Sequence, residues 1–401
     1  MNSSVPGRPS PRWPLAGFLA MGIFWGTWAA LLPDIKMRVG ASDAEFGLAL
    51  LGAGVGALPA MLLTGRLWRR LGWWLLPATL FAFGLAAITP LLASTPAALA
   101  GALVLIGAAS GSLDVAMNAG ISDVEVAANR KLMYGAHALF SLGVLVGSVA
   151  TGLVRGAGAG PNEVLPLVTL AMVLVGVGSI TAARRMATAA TPQEVDSSAS
   201  FSAIRALAAL AALCALAFLI EDAMQNWSAL HLERELLAGP VIGGAAPGIF
   251  AGAMFAGRSA GQWLGGRYSD RALLVGGGLG ACLGLAVVAA APSALIALAG
   301  LAVAGAGVAL VAPALFARAG RTATARGRGA AMATLTFFGY TGFLLGPVLV
   351  GQVSQVAGLR SAIGLLGVLA LVLAAAGWLV LRIRRAGTFT QGEELLRTSR
   401  G

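Results

Sequence analysis

Charge is scarce in this chain. Of its 401 residues only 11% are charged, whereas 58% are hydrophobic. A soluble chain would carry about 25% charge, so a water-facing globular protein is excluded. Cysteine is nearly absent. Cys214 and Cys282 are the two, both inside apolar runs, which excludes a disulfide framework and gives no zinc-ligand spacing. Strict alternation of apolar and polar residues is missing too, and with it the signature of a transmembrane β-barrel. The net charge of +11 does not form a basic face or a patch interleaved with aromatics, so a nucleic-acid partner is not expected. No nucleophile with an oriented base is readable, and no metal cluster: the expectation is not an enzyme, with no cofactor.

What is present is a succession of apolar runs of about 20 residues, the length that crosses a bilayer core as a helix. Twelve are predicted: 13–32, 46–63, 73–92, 97–121, 132–154, 165–182, 204–227, 245–265, 273–290, 294–316, 330–350 and 362–381. The fold class expected is an all-α membrane protein. The polar, Pro/Ser-rich 1–12 reads as a cytoplasmic tail, as does 382–401. The stretch 183–203 is the one long internal polar segment and reads as a cytoplasmic linker between two six-span halves, 13–182 and 204–381. It is too short for a soluble domain of its own. The first apolar run lacks a convincing signal-peptide cleavage site.

Loop charge gives orientation. With the N-terminus inside, the inner segments hold clusters such as Arg66/Arg69/Arg70, Arg130/Lys131, Arg184/Arg185 and Arg318/Arg321. The outer loops hold only Lys36, Arg38, Arg155, Arg234 and Arg360. The positive-inside rule then puts both termini in the cytoplasm of a bacterial inner membrane.

The halves echo each other. Gly65-Arg-Leu-Trp-Arg-Arg follows span two and Gly266-Arg-Tyr-Ser-Asp-Arg follows span eight. Gly143-x3-Gly147-x4-Gly152 in span five matches Gly342-x3-Gly346-x4-Gly351 in span eleven. Small-residue spacing is common in membrane helices, but two matches in the same order at the same offset indicate a parallel six-span repeat.

Several polar side chains lie within the apolar runs, where an ionisable group must face protein or a water-filled path. In 105–120, LIGAASGSLDVAMNAG, Asp114 and Asn118 are four apart and share a helix face. Burial disfavours a charged carboxyl, which suits a proton carrier. The other reading is a helix-end acid paired with Arg130 or Lys131. Glu221, Asp222, Gln225 and Asn226 form two i, i+4 pairs near the outer end of span seven; they line a solute path or mark the helix leaving the membrane beside Trp227. Arg258, on a face with Gln262, needs an acid, with Glu221, Asp222 and Asp270 in range of its span. Tyr134, His137 and Ser141 share a face of span five. Trp25 and Trp28 share a face of span one and either stack on a flat solute or pack against neighbours. Asp34, followed by Lys36 and Arg38, reads on charge pattern as an acid in a surface ion pair.

The loop GRLWRRLG, 65–72, resembles the major facilitator signature G-x-L-x-D-R-x-G, departing at the acid, where Arg69 stands; the second-half loop keeps Asp270 before Arg271. This resemblance implies two pseudo-symmetric six-helix bundles, with gating or ion-pair roles for Arg66, Arg70, Asp270, Arg271 and Arg258. The segments FWGTWAALLPDIKMRVGASDAEFGLAL (24–50), GSLDVAMNA (111–119) and HALFSLG (137–143) resemble the fucose–proton symporter group, in its uncharacterised bacterial branch with DVAMN in span four. That resemblance implies proton coupling at Asp114 and Asp34, and solute contact at Asn118, Trp25, Trp28, His137, Glu221, Asp222, Gln225 and Asn226. The expected function is proton-coupled uptake of a small polar, sugar-like solute by a monomeric carrier in the lipid bilayer. The alternatives are a proton-driven drug or metabolite exporter and a non-transporting sensor. Span five lacks the proline of the exporters' G-x-x-x-G-P-x-x-G-G pattern.

Overall fold

The computed structural model describes residues 10–128, 132–186, 201–264, 267–322 and 328–398. These residues form helices and turns, and no strand occurs among them. The helices are α1 (Arg12–Arg38), α2 (Asp43–Leu71), α3 (Leu75–Ala87), α4 (Pro96–Ala128), α5 (Met133–Gly156), α6 (Pro161–Met186) and α7 (Phe201–Leu230), then α8 (Pro240–Leu264), α9 (Asp270–Ala290), α10 (Ala294–Val308), α11 (Val311–Thr322), α12 (Arg328–Ala357) and α13 (Leu359–Thr398).

Among the described residues, eleven stretches are long and apolar enough to cross a membrane; one of them, Asp43–Leu92, is 50 residues long. As one helix it would measure about 75 Å against a hydrocarbon core of about 30 Å. The chain turns back instead at Gly72, whose φ of 49° is open to glycine without strain, and α2 and α3 make separate crossings. The tenth crossing is shared by α10 and α11. The result is twelve transmembrane helices in two pseudo-symmetric six-helix bundles.

Local chemistry sets the helix starts. Ser42 Oγ accepts from Glu45 N at 3.3 Å while Ser42 N donates to Glu45 Oε2 at 2.9 Å, a capping box that opens α2. Ser269 Oγ caps α9 through Ala272 N at 3.2 Å. Pro96, Pro161 and Pro240 each stand first in their helices, where the missing N–H costs nothing. On α6, Leu167, Leu170, Leu174 and Val177 recur every three to four residues and are all exposed, a stripe suited to lipid.

The glycine repeat has a physical meaning. A Cβ at Gly143 would stand 2.5 Å from the Leu19 carbonyl oxygen, and one at Gly346 would stand 2.5 Å from that of Leu219. Each half thus presses its fifth crossing onto its first, α5 on α1 and α12 on α7. The third glycine of each motif faces the other half: a Cβ at Gly152 would stand 2.9 Å from the Val241 carbonyl oxygen of α8, and one at Gly351 would stand 2.5 Å from the Asp43 carbonyl oxygen of α2. Two crossings of the seam between the halves, α5 on α8 and α2 on α12, are therefore built from equivalent glycines.

Several boundaries differ from the sequence expectation. α1 continues to Arg38, so Asp34 lies in the helix rather than in a loop. α13 runs to Thr398, so most of the segment read as a C-terminal tail is helical. The linker's ends belong to α6 and α7, and its middle, 187–200, lies outside the described residues, as do residues 1–9 of the N-terminal tail.

Candidate functional site

Between the halves lies a cavity of about 380 Å³. From the first half, α1 contributes Trp25 and Trp28, α2 Ala57 and Met61, α4 Ser110, Gly111 and Asp114, and α5 His137 and Phe140. From the second half, α7 contributes Glu221, Asp222, Gln225 and Asn226, and α12 contributes Tyr340 and Phe343.

Asp114 is deep in this cavity. It is followed by fourteen more helical residues in α4, about 21 Å of helix, so it is no helix-end acid. Arg130 and Lys131, its alternative partners, lie outside the described residues. Asn118 Nδ2 donates to Asp114 Oδ1 at 3.0 Å and to the Asp114 carbonyl oxygen at 2.8 Å. Asn118 does not itself line the cavity; it stands behind the acid and fixes it. The pattern repeats on α7, where Asn226 Nδ2 donates to the Asp222 carbonyl oxygen at 2.9 Å.

Arg258 Nη2 approaches Glu221 Oε1 at 3.1 Å, tying α8 to α7. His137 stacks edge-on against Phe18 with ring centroids 5.2 Å apart; the Tyr134 and Gln262 side chains are outside the described set. Trp25 is half-buried at the cavity wall, whereas Trp28 is 1% exposed and stacks on Phe24 at 6.4 Å. Trp28 therefore offers the cavity an edge and acts mainly in packing.

Asp34 is elsewhere. Its carboxylate takes Arg155 Nε at 2.7 Å and Arg155 Nη2 at 2.6 Å, and Arg155 Nη1 also reaches Glu233 Oε1 at 2.6 Å. Arg155 is only 3% exposed in its side chain. Glu233 comes from the second half, on a π-helical turn, His231–Glu235, that continues α7. Beside it Asp43 takes Lys36 Nζ at 3.0 Å and Arg234 Nη1 at 2.8 Å, and Ser354 of α12 donates to the same carboxylate. These groups form a latch across one end of the seam. His137 is near the start of α5 and Arg155 near its end, about 27 Å apart along the helix axis, so the cavity reaches towards the end opposite the latch.

The residues assigned to the two repeat loops behave differently. Arg66 and Arg70 are exposed on the last turns of α2, with no ion-pair partner among the described residues. Asp270 pairs with Arg321 of α11, and Arg271 lies 4.7 Å over the Trp378 ring of α13. The loss of the acid at Arg69 accounts for the asymmetry.

Sequence reasoning missed Tyr340 and Phe343 on the cavity wall, and the latch set of Asp43, Arg155, Glu233 and Arg234. The available signal for the latch was that Arg155 and Arg234 are two of the few basic residues in the outer loops.

Comparison with known proteins bears on the identity. The Major Facilitator Superfamily model matches residues 211–399. An uncharacterised MFS-type transporter of Yersinia pestis is 33% identical over 92% of this chain and 94% of its own length. Among solved structures, the nucleoside transporter NupG superposes with a TM-score of 0.75 at 12% identity, covering 92% of this chain and 98% of that one. The Escherichia coli fucose:proton symporter FucP superposes with a TM-score of 0.58 at 16% identity, covering 93% and 98%. These two share the fold. With a relative of this identity aligned along nearly its whole length, and two six-helix bundles closing on a central cavity, the chain belongs to the major facilitator superfamily of multi-pass membrane transporters and is not an enzyme.

Proposed function

We propose that the protein carries a small polar solute across the bacterial inner membrane together with protons, by rocking of two bundles, 13–182 and 204–381, around the central cavity. The observation that supports this reading is Asp114: a carboxyl set deep between the halves, held by Asn118 and facing the cavity. A charge there is costly in a membrane interior. Protonation removes that cost and permits closure over the site, so the proton gradient can drive the cycle. Loop charge supports placing both termini, the segment 183–203 and the open end of the cavity in the cytoplasm, with the latch outside. The structure then corresponds to an inward-open carrier, acting as a monomer. In this reading Asp34 serves the outer latch, and any part in coupling passes through Arg155; Glu221, Asp222, Gln225, Asn226, Trp25 and His137 meet the solute.

The solved structures of this fold include proteins named for a nucleoside and for fucose with protons, which agrees with a polar solute. One observation favours export of a more apolar compound instead: Met21, Met61, Leu50 and Phe140 also line the cavity, and methionine-rich walls adapt to varied ligands. Reconstitution into proteoliposomes decides between them. Uptake predicts solute accumulation towards the more alkaline compartment; movement of solute against the proton flow identifies an exporter. Absence of flux with retained binding identifies a sensor.

A further inference from the structure

The charges around the cavity do not cancel. Asp114, Glu221 and Asp222 all line it, and among the described lining residues there is no lysine or arginine. Arg258 of α8, which is not among the lining residues, reaches Glu221 at 3.1 Å. Asn118 gives Asp114 a hydrogen bond and Asn226 caps the Asp222 carbonyl oxygen, but an amide brings a dipole, not a charge. Two carboxyl groups therefore face the cavity from opposite halves with no lysine or arginine among the described lining residues. His137 of α5, the imidazole on the same wall, makes its ring contact with Phe18 and no hydrogen bond to either acid. A buried carboxylate needs a proton or a positive partner. The coupling proton answers for one of them. An anionic solute would add a third charge, and a neutral solute would leave one uncompensated.

The walls suit a cation as well. Trp25 projects from α1 and Tyr340 from α12, and Tyr340 lies 5.8 Å from the Phe343 ring. Aromatic faces attract an ammonium group through the ring quadrupole. We infer that the transported solute carries a protonated amine, which the Asp222 carboxylate receives between the aromatic rings while the coupling proton sits on Asp114. This rests on the transport reading above and names its solute class: small, polar and cationic at neutral pH.

The test uses matched probes on three scaffolds, each as amine, neutral alcohol and acid: glucosamine, glucose and glucuronate; tyramine, its alcohol analogue and 4-hydroxyphenylacetate; 4-aminobutanol, butane-1,4-diol and 4-hydroxybutyrate. Thermal stabilisation of the purified full chain at pH 7 reads binding, because a ligand that binds only the folded state raises its melting temperature. The expected result is stabilisation by at least one amine and by neither of its partners. In Asp222→Asn that amine binds about tenfold or more weakly, the loss of one charge-assisted hydrogen bond, and Asp222→Glu restores it in part. Equal stabilisation by an alcohol or an acid overturns the inference, as does a panel in which no amine acts; the wild-type comparison stands even if Asp222→Asn does not fold. The two readings separate. A neutral solute that binds and accumulates with the proton gradient sinks the amine and keeps the transport. An amine that binds but is never moved by the gradient does the reverse.

Discussion

Asp114 carries the coupling proposal, and its neighbourhood makes it testable one atom at a time. Asp114→Asn keeps the shape and removes the titration. Gradient-driven accumulation in proteoliposomes should vanish, while exchange of labelled for unlabelled solute without a gradient persists. Accumulation that survives in the variant would remove Asp114 from the coupling step. Asn118→Ala asks a different question. It strips a donor 3.0 Å from the carboxyl, and leaving a buried acceptor short of a partner costs about 1–3 kcal/mol. A lowered melting temperature, without a change in the proton-to-solute ratio, is expected. These two residues were legible in the sequence because a polar i, i+4 pair stands out in an apolar run. Tyr340 and Phe343 were not, because one more aromatic in a membrane helix carries no mark of the direction it faces. Trp25 and Trp28 were read as equals on one helix face; Phe24 stacks on Trp28 and meets Phe83 of α3 edge-on, which leaves Trp28 in the core and Trp25 at the wall.

At the scale of the helix, glycine sets the distances. α1 and α5 approach closely enough that a side chain at Gly26 would strike the Val144 carbonyl oxygen and stand 2.8 Å from Ser148 N. Gly26→Val should therefore lower the melting temperature sharply and reduce the yield of folded protein, since backbone cannot shift cheaply to make room; overpacking typically costs about 1–3 kcal/mol, occasionally more. Gly101→Ala is the control. Nothing lies within 4 Å of its Cβ position, and alanine is favoured over glycine within a helix by about 0.5–1 kcal/mol, so the variant should be neutral or slightly more stable. Equal damage from both would show that close contact at the glycine does not decide the effect, since propensity alone favours alanine at Gly101. The spacing of the glycines was plain in the sequence. Their division of labour was not: two of each triplet serve the bundle and the third serves the seam, a distinction that depends on which helix stands opposite.

At the scale of the whole molecule, the latch ties the two halves together at one end of the seam. Arg155 joins Asp34 of the first half to Glu233 of the second at 2.6 Å each. Arg155→Gln leaves two part-buried carboxylates without their cation, and breaking such a group typically costs about 3–5 kcal/mol. Because the group spans the seam, the cost falls on this closed face rather than on either bundle. The variant should open the latched end more often: spin labels on Met37 and Leu237 should report longer distances, with the melting temperature of each half little changed. Unchanged distances would make the cluster a static surface network. Orientation is checked by a cysteine at Met37 with Cys214 and Cys282 replaced. A membrane-impermeant thiol reagent added to whole spheroplasts should label it, as the outer placement requires.

Composition and pattern alone determined that this chain lives in a membrane, that it crosses twelve times and that it is built twice over, because hydrophobic length, loop charge and glycine spacing are properties of the chain in order. The tertiary structure decided what those crossings bring together. Asp34 and Asp114 look alike along the chain, each an acid in or beside an apolar run. Only the packing of α1 against α5, and of α7 across the seam, gives Asp34 to Arg155 and leaves Asp114 facing the cavity, because a side chain's partners are fixed by which helices meet, and that is settled between segments more than a hundred residues apart.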